Sequence, residues 1–233
     1  MQSHGVVWFD EPQPSAGRLS RDRIVEAAIE LADADVRGEV TMRAVATRLG
    51  SSTPMSLYRY VGSKDGLTDL MLDRVTAEIV VPAEGTWQER LRGLALSARA
   101  AVQRHPWFAR LTFSRPPLGP HSLAMFDAAL AALEPLDLDA ASRMGFVSTV
   151  LGHVYATGLA ELEEATMRHR IGVTDEAQLA AAAEPYHRRI AEQGSFPNYI
   201  RWSQDPQRMQ PPPFGFEETL EWLIAGLSSV AAR

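Results

Sequence analysis

The sequence predicts an all-α protein, with an N-terminal three-helix head that carries a helix-turn-helix and a larger C-terminal helical body. Three observations carry that expectation. Apolar residues recur at the three- and four-residue spacing of amphipathic helices along most of the chain. No stretch alternates apolar and polar residues as a half-buried strand would. Two short helical patterns, residues 41–50 and 54–60, stand on either side of a turn rich in Ser and Thr.

Taken in order, residues 1–17 hold Pro12, Pro14, Ser15 and Gly17 without any period and read as a flexible arm. Within the arm, the apolar island Val6–Phe9 is expected to make only a loose contact. Ser20 caps a first helix that runs to about Asp35 and buries Ile24, Ala27, Ala28 and Leu31. Thr41 caps the second, because its hydroxyl can accept a bond from a first-turn N–H that has no partner within the helix. Met42, Val45, Ala46 and Leu49 line one face of it, and Gly50 can end it in a left-handed conformation. Ser51, Ser52 and Thr53 fill the turn, and Pro54 suits a first helical position, where its missing N–H costs nothing.

The third helix has only Leu57 and Val61 as anchors. Its remaining surface is polar and aromatic, on a segment too short to be stable alone. A short helix held by another, with its hydrogen-bonding face outward, is what a helix-turn-helix places in the major groove of DNA. Ser63 caps a fourth helix, with Asp65 favourably placed in its first turn. Leu67, Leu70, Met71, Val75 and Ile79 form its apolar face, and it is expected to end near Val81 and Pro82. The domain reading is therefore an arm (1–17), a helix-turn-helix head (18–66), a connecting helix (67–82) and a body (83–233).

The body reads as helices over 86–105, 121–133, 140–169, 174–193 and 216–230. Pro106, a loop over 114–120, and a Pro-rich stretch with Pro197, Pro206 and Pro211 to Pro213 separate them. Gly145, Gly152 and Gly158 on the long helix either permit close helix approach or simply lower its stability.

Composition narrows the function classes. The chain has 233 residues, 45% of them apolar and 22% charged, which is ordinary for a globular protein. The absence of Cys excludes disulfides and thiolate metal sites. No apolar run reaches a membrane span, and no basic patch precedes an apolar run at the N-terminus, so a cytoplasmic protein with no membrane partner is expected. His169 and His187 are far apart, no metal-binding His motif occurs, and there is neither a phosphate loop nor a nucleophile elbow. The sequence nominates no reaction, and the expectation is a protein that is not an enzyme and uses no cofactor or metal. The net charge is −6, yet residues 18–64 hold eight Lys and Arg against six Asp and Glu. One basic end on an acidic chain fits a DNA-facing head with a separate sensing body.

The segment LYRYVGSKDGL, residues 57–67, resembles the signature that closes the DNA-binding domain of TetR-type transcriptional regulators, through Leu57, Tyr58, Tyr60, Lys64 and Leu67. The upstream TMRAVATRLG fits the same pattern. Three departures stand out: Tyr60 where many members have His, Val61 where many have Phe, and six residues rather than five between Gly50 and Leu57. FPNYIRW (196–202) and FGFEETLEWLIAGL (214–227) look like the regulatory domain of the tetracycline-repressor branch.

The resemblance implies a homodimer formed through the long helix and the terminal helix, a double-stranded palindromic operator, and a small-molecule effector that releases it. Tyr58 and Lys64 can reach phosphates, and Arg43 a guanine edge or a phosphate. Ser52, Thr53, Met55, Ser56 and Arg59 are further candidate DNA contacts. The resemblance puts the effector among the central helices. His105, Trp107, Phe108, Leu111, Phe113, Met125, Phe126, Val147, Leu151 and His153 are the candidate ligand contacts, with Tyr155 a possible polar addition. The competing expectation is a helical small-molecule binding protein that no longer reads an operator, which the acidic balance and the longer turn favour.

Overall fold

The computed structural model describes residues 6–9, 19–35, 39–50, 53–173, 175–205 and 215–232. These residues form helices and connecting turns, with no strand among them. In chain order the helices are α1 (Val6–Phe9), α2 (Arg21–Asp33), α3 (Met42–Arg48), α4 (Met55–Val61), α5 (Lys64–Thr76) and α6 (Trp87–Arg104). They continue with α7 (Pro106–Thr112), α8 (Pro120–Ala131), α9 (Ala140–Ile171), α10 (Glu176–Glu192), α11 (Pro197–Ser203) and α12 (Phe216–Ala231). Two compact units result, one of Met1–Leu162 with Leu223–Arg233 and one of Glu163–Trp222.

The expected caps form. Ser20, Thr41 and Ser63 each accept a first-turn N–H at the start of α2, α3 and α5. Thr86 and Glu89 close a reciprocal capping box on α6, which satisfies two unpaired donors at once. Backbone and side-chain bonds from Thr86 hold the Glu89 carboxyl below its usual pKa. Gly50 follows α3 at φ 66°, the left-handed conformation expected of it. Pro54 serves as the N-cap of α4 rather than its first helical residue.

Three helices escaped the sequence reading. The island Val6–Phe9 is a helical turn packed against α5, with Val7 buried, rather than a loose contact. The segment after Pro106 continues as α7, because Pro is well suited to a first helical position. α11 starts at Pro197 inside the stretch read as an irregular Pro-rich break, after Phe196 at φ 58°. The connecting helix was expected to reach residue 81, but α5 ends at Thr76. Beyond it Ile79 is still buried, and the Val80 N–H donates to Ser97 Oγ at 2.8 Å.

Close packing explains some of the glycines. A Cβ at Gly158 would overlap Val102, so this glycine lets α9 approach α6, whereas Gly145 and Gly152 meet nothing. A Cβ at Gly66 would overlap the Val61 carbonyl, so the first turn of α5 lies directly against the end of α4.

Candidate nucleic-acid surface and small-molecule cavity

The head is α2, α3 and α4. Leu57 and Val61 are fully buried, and Val45, Ala46, Ile24 and Ala28 join them in the core. That leaves the rest of α4 outward. Met55 is 75% exposed. Arg59 and Thr53 are exposed, and Ser56 and Tyr58 partly so. The Arg21 side chain donates to the Tyr60 carbonyl at 2.9 Å, tying the end of α4 to the start of α2. Ser52 lies outside the described residues.

Described cations on the head and on the adjoining α5 differ in whether they are already paired. Arg48 pairs with Glu30, and Arg74 at the far end of α5 pairs with Asp22. Arg43 and Lys64 are exposed and make no ion pair among the described residues. Arg59 lies over the Tyr60 ring, 4.8 Å from its centroid, and donates to its hydroxyl at 2.9 Å. Arg43 and Lys64 are thus exposed cations available for an outside anion. Ser56 turns its hydroxyl back to the Thr53 carbonyl at 2.8 Å.

The same unit contains a cavity of about 230 Å³. Phe108 and Thr112 of α7 line it, with Met125 and Phe126 of α8 and Leu151 of α9. The loop from Phe113 to Gly119 and the α9 residues Ser148, Gly152 and Tyr155 complete that side. The opposite wall is α5, through Asp69, Leu72, Asp73 and Thr76, and α1 adds Trp8. Phe108, Phe113, Met125, Phe126, Leu151 and Tyr155 are thus brought around one cavity.

His105, Trp107, Leu111, Val147 and His153 do not line the cavity. His105 Nδ1 faces both oxygens of Asp33, at 2.8 and 3.0 Å, and its Nε2 lies 3.3 Å from Glu78. The Trp107 indole N–H donates to Asp33 at 2.7 Å. Both residues hold the end of α2 against α7, and their polar groups are used there. Val147 is fully buried among the helices.

The polar side of the cavity is satisfied internally. Asp73, only 3% exposed, accepts from the Ser122 N–H at 2.9 Å, the Ser122 hydroxyl at 3.1 Å and the His121 N–H at 3.3 Å. It caps α8 from α5, and Gly119 leaves the room it needs. Arg115 bonds to Asp69 at 2.7 Å and also to Asp65. Burial works against its charge, but these two carboxylates outweigh burial and hold the guanidinium above its ordinary pKa. Tyr155 is fixed by edge contacts to Phe108 and Phe113, with ring centroids 5.8 and 6.5 Å away. Burial raises the pKa of its hydroxyl, which stays protonated as a neutral handle on the wall. Among the described residues no group of His, Asp or Glu is arranged to hold a metal ion. Among them, too, no helix is long and apolar enough to cross a membrane.

Sequence reasoning missed the α5 wall because its polar residues sit on a helix read only for its apolar face. It missed Trp8 because the island had no periodic partner.

Comparison with known proteins bears on both features. Residues 81–231 match the tetracyclin repressor-like C-terminal domain. The chain is 33% identical over 234 residues to the HTH-type transcriptional repressor DrrR1 of Streptomyces coeruleorubidus, covering 98% of this chain and 85% of that one. An HTH-type transcriptional regulator of Saccharopolyspora erythraea is 31% identical over 97% of this chain and 93% of its own. Among solved structures, apo ActR from Streptomyces coelicolor superposes with a TM-score of 0.75 at 27% identity, covering 94% of this chain and 99% of its own. ActR in complex with actinorhodin gives 0.75 at 29% identity, over 92% and 99%.

Proposed function

The chain belongs to the TetR family of helix-turn-helix transcriptional regulators, and we propose that it is a repressor that binds a palindromic operator as a homodimer and is released by a small-molecule effector in the α5–α9 cavity. One observation carries the reading. α5 is at once a wall of the cavity and the helix whose first turn lies directly on the end of α4. A molecule in the cavity touches Leu72 and Thr76, and any displacement of α5 is delivered to the reading helix across Gly66.

The mechanism is a shift between two arrangements. In one, the two reading helices of the dimer stand about one turn of DNA apart, roughly 34–36 Å. An effector that binds better to the other arrangement moves them off that spacing. By linkage, operator DNA must weaken effector binding by the same factor. Lys64, Tyr58 and Arg43 supply the phosphate and base-edge contacts, and Thr53, Met55, Ser56 and Arg59 form the surface facing the groove. That ActR was solved with actinorhodin supports a small-molecule effector here.

The test is a titration of compounds that raise the melting temperature into a complex of the protein with a selected duplex, read by fluorescence anisotropy. Release of DNA in step with occupancy is expected. A compound that occupies the cavity and leaves DNA affinity unchanged contradicts the mechanism.

A further inference from the structure

The N-terminal turn is part of the cavity. Val7 is buried, α1 packs on α5, and Trp8 beside Val7 is only partly buried and forms part of the cavity wall. Its indole N–H makes no hydrogen bond among the described residues, unlike that of Trp107, which is taken up by Asp33. A buried indole usually finds a partner for its N–H. Trp8 thus brings an aromatic side chain to the cavity, with an indole N–H that no described residue accepts.

The remaining walls indicate what would fill it. Phe108, Phe113 and Tyr155 form a connected edge-to-face aromatic set. The only guanidinium on the wall, among the described residues, is already compensated by Asp65 and Asp69. With Asp73 also present, that corner carries no spare positive charge for an acidic ligand.

We infer that Trp8 is a specificity-determining residue of the effector site, stacking on and donating a hydrogen bond to a flat, fused-ring aromatic compound that carries carbonyl or hydroxyl groups and no negative charge. This inference rests on the reading of the cavity as the effector site.

Quinizarin, an uncharged dihydroxyanthraquinone with its own visible fluorescence, is a suitable probe. Its binding is measured to the full-length wild type, Trp8→Ala, Trp8→Phe and Ser148→Trp, the last filling the cavity from α9. Helical content by circular dichroism confirms that each variant is folded. Binding to the wild type is expected to be abolished in Ser148→Trp and weakened roughly tenfold in Trp8→Ala, as the loss of one aromatic contact implies. Trp8→Phe should recover part of it, and quinizarin sulfonate should bind more weakly than quinizarin.

Equal affinity of wild type and Trp8→Ala, with Ser148→Trp still blocked, overturns the assignment of Trp8 and leaves the effector site standing. Equal binding of the sulfonate overturns the charge preference. No binding to the wild type, or undiminished binding to Ser148→Trp, removes the effector-site reading and this inference with it.

Discussion

Gly66→Ala tests the junction through which cavity and head are proposed to communicate. The added Cβ would overlap the Val61 carbonyl oxygen and stand 3.4 Å from its carbon and 3.5 Å from Ser63 Oγ. The obstacle is backbone at the end of α4, so no side chain can swing aside. Ala in place of Gly favours the helix by about 1 kcal/mol. Against this stand overpacking, about 1–3 kcal/mol, and strain on the Ser63 cap, worth about 1 kcal/mol if lost. The Ser63 hydroxyl accepts the N–H of Gly66 itself at 2.9 Å. The balance is a destabilisation of about 2 kcal/mol, or a fall in Tm of roughly 4–8 °C. DNA affinity should fall as well, because α4 must tilt away from α5 to relieve the overlap. Thermal unfolding followed by circular dichroism and anisotropy on a selected duplex read the two effects. A Gly66→Ala protein that melts at or above the wild-type temperature and binds DNA fully would refute the close α4–α5 contact and the route built on it.

Three further outcomes are expected. Lys64→Ala should weaken binding to all duplexes alike and flatten the log–log salt dependence by about one unit; an unchanged slope removes its phosphate contact. Asp73→Ala, which strips the α8 N-terminus of its cap and leaves Ser122 without its acceptor, should cost roughly 2–4 kcal/mol in urea unfolding; a change under about 1 kcal/mol would show that water replaces the carboxylate. The buried Tyr155 hydroxyl ionises later in the folded chain than in the unfolded one, so its stabilisation is intact below the ordinary tyrosine pKa and declines as pH rises beyond it. Above about pH 10, wild type should therefore lose up to about 1.4 kcal/mol per pH unit more than Tyr155→Phe; parallel curves would place the hydroxyl in water.

What was legible in the sequence was local. Ser20, Thr41, Ser63 and Thr86 announce helix starts because a cap needs only its own first turn. Leu57 and Val61 stand out as anchors because they share one face of α4, while Met55 lies on the opposite, exposed side. Half of the expected ligand residues line the cavity; Phe108, from the aromatic cluster about Pro106, is fully buried against it, as its size demands. His105 and Trp107 were misplaced because their partner, Asp33, lies 72 and 74 residues away, and no spacing rule links them. The same holds for Asp73 and Ser122, 49 residues apart. Trp8 could not be assigned because an isolated turn becomes ordered only through the surface it packs on.

The proposed role requires that this head read DNA as a paired unit. The direct measurement is selection from random duplexes by the purified full-length protein, at low and at moderate salt. An enriched palindrome that persists at the higher salt is the predicted result. Retention that vanishes with salt and shows no sequence preference, or no retention at all, would contradict the operator-reading role and leave a helical small-molecule binding protein in its place.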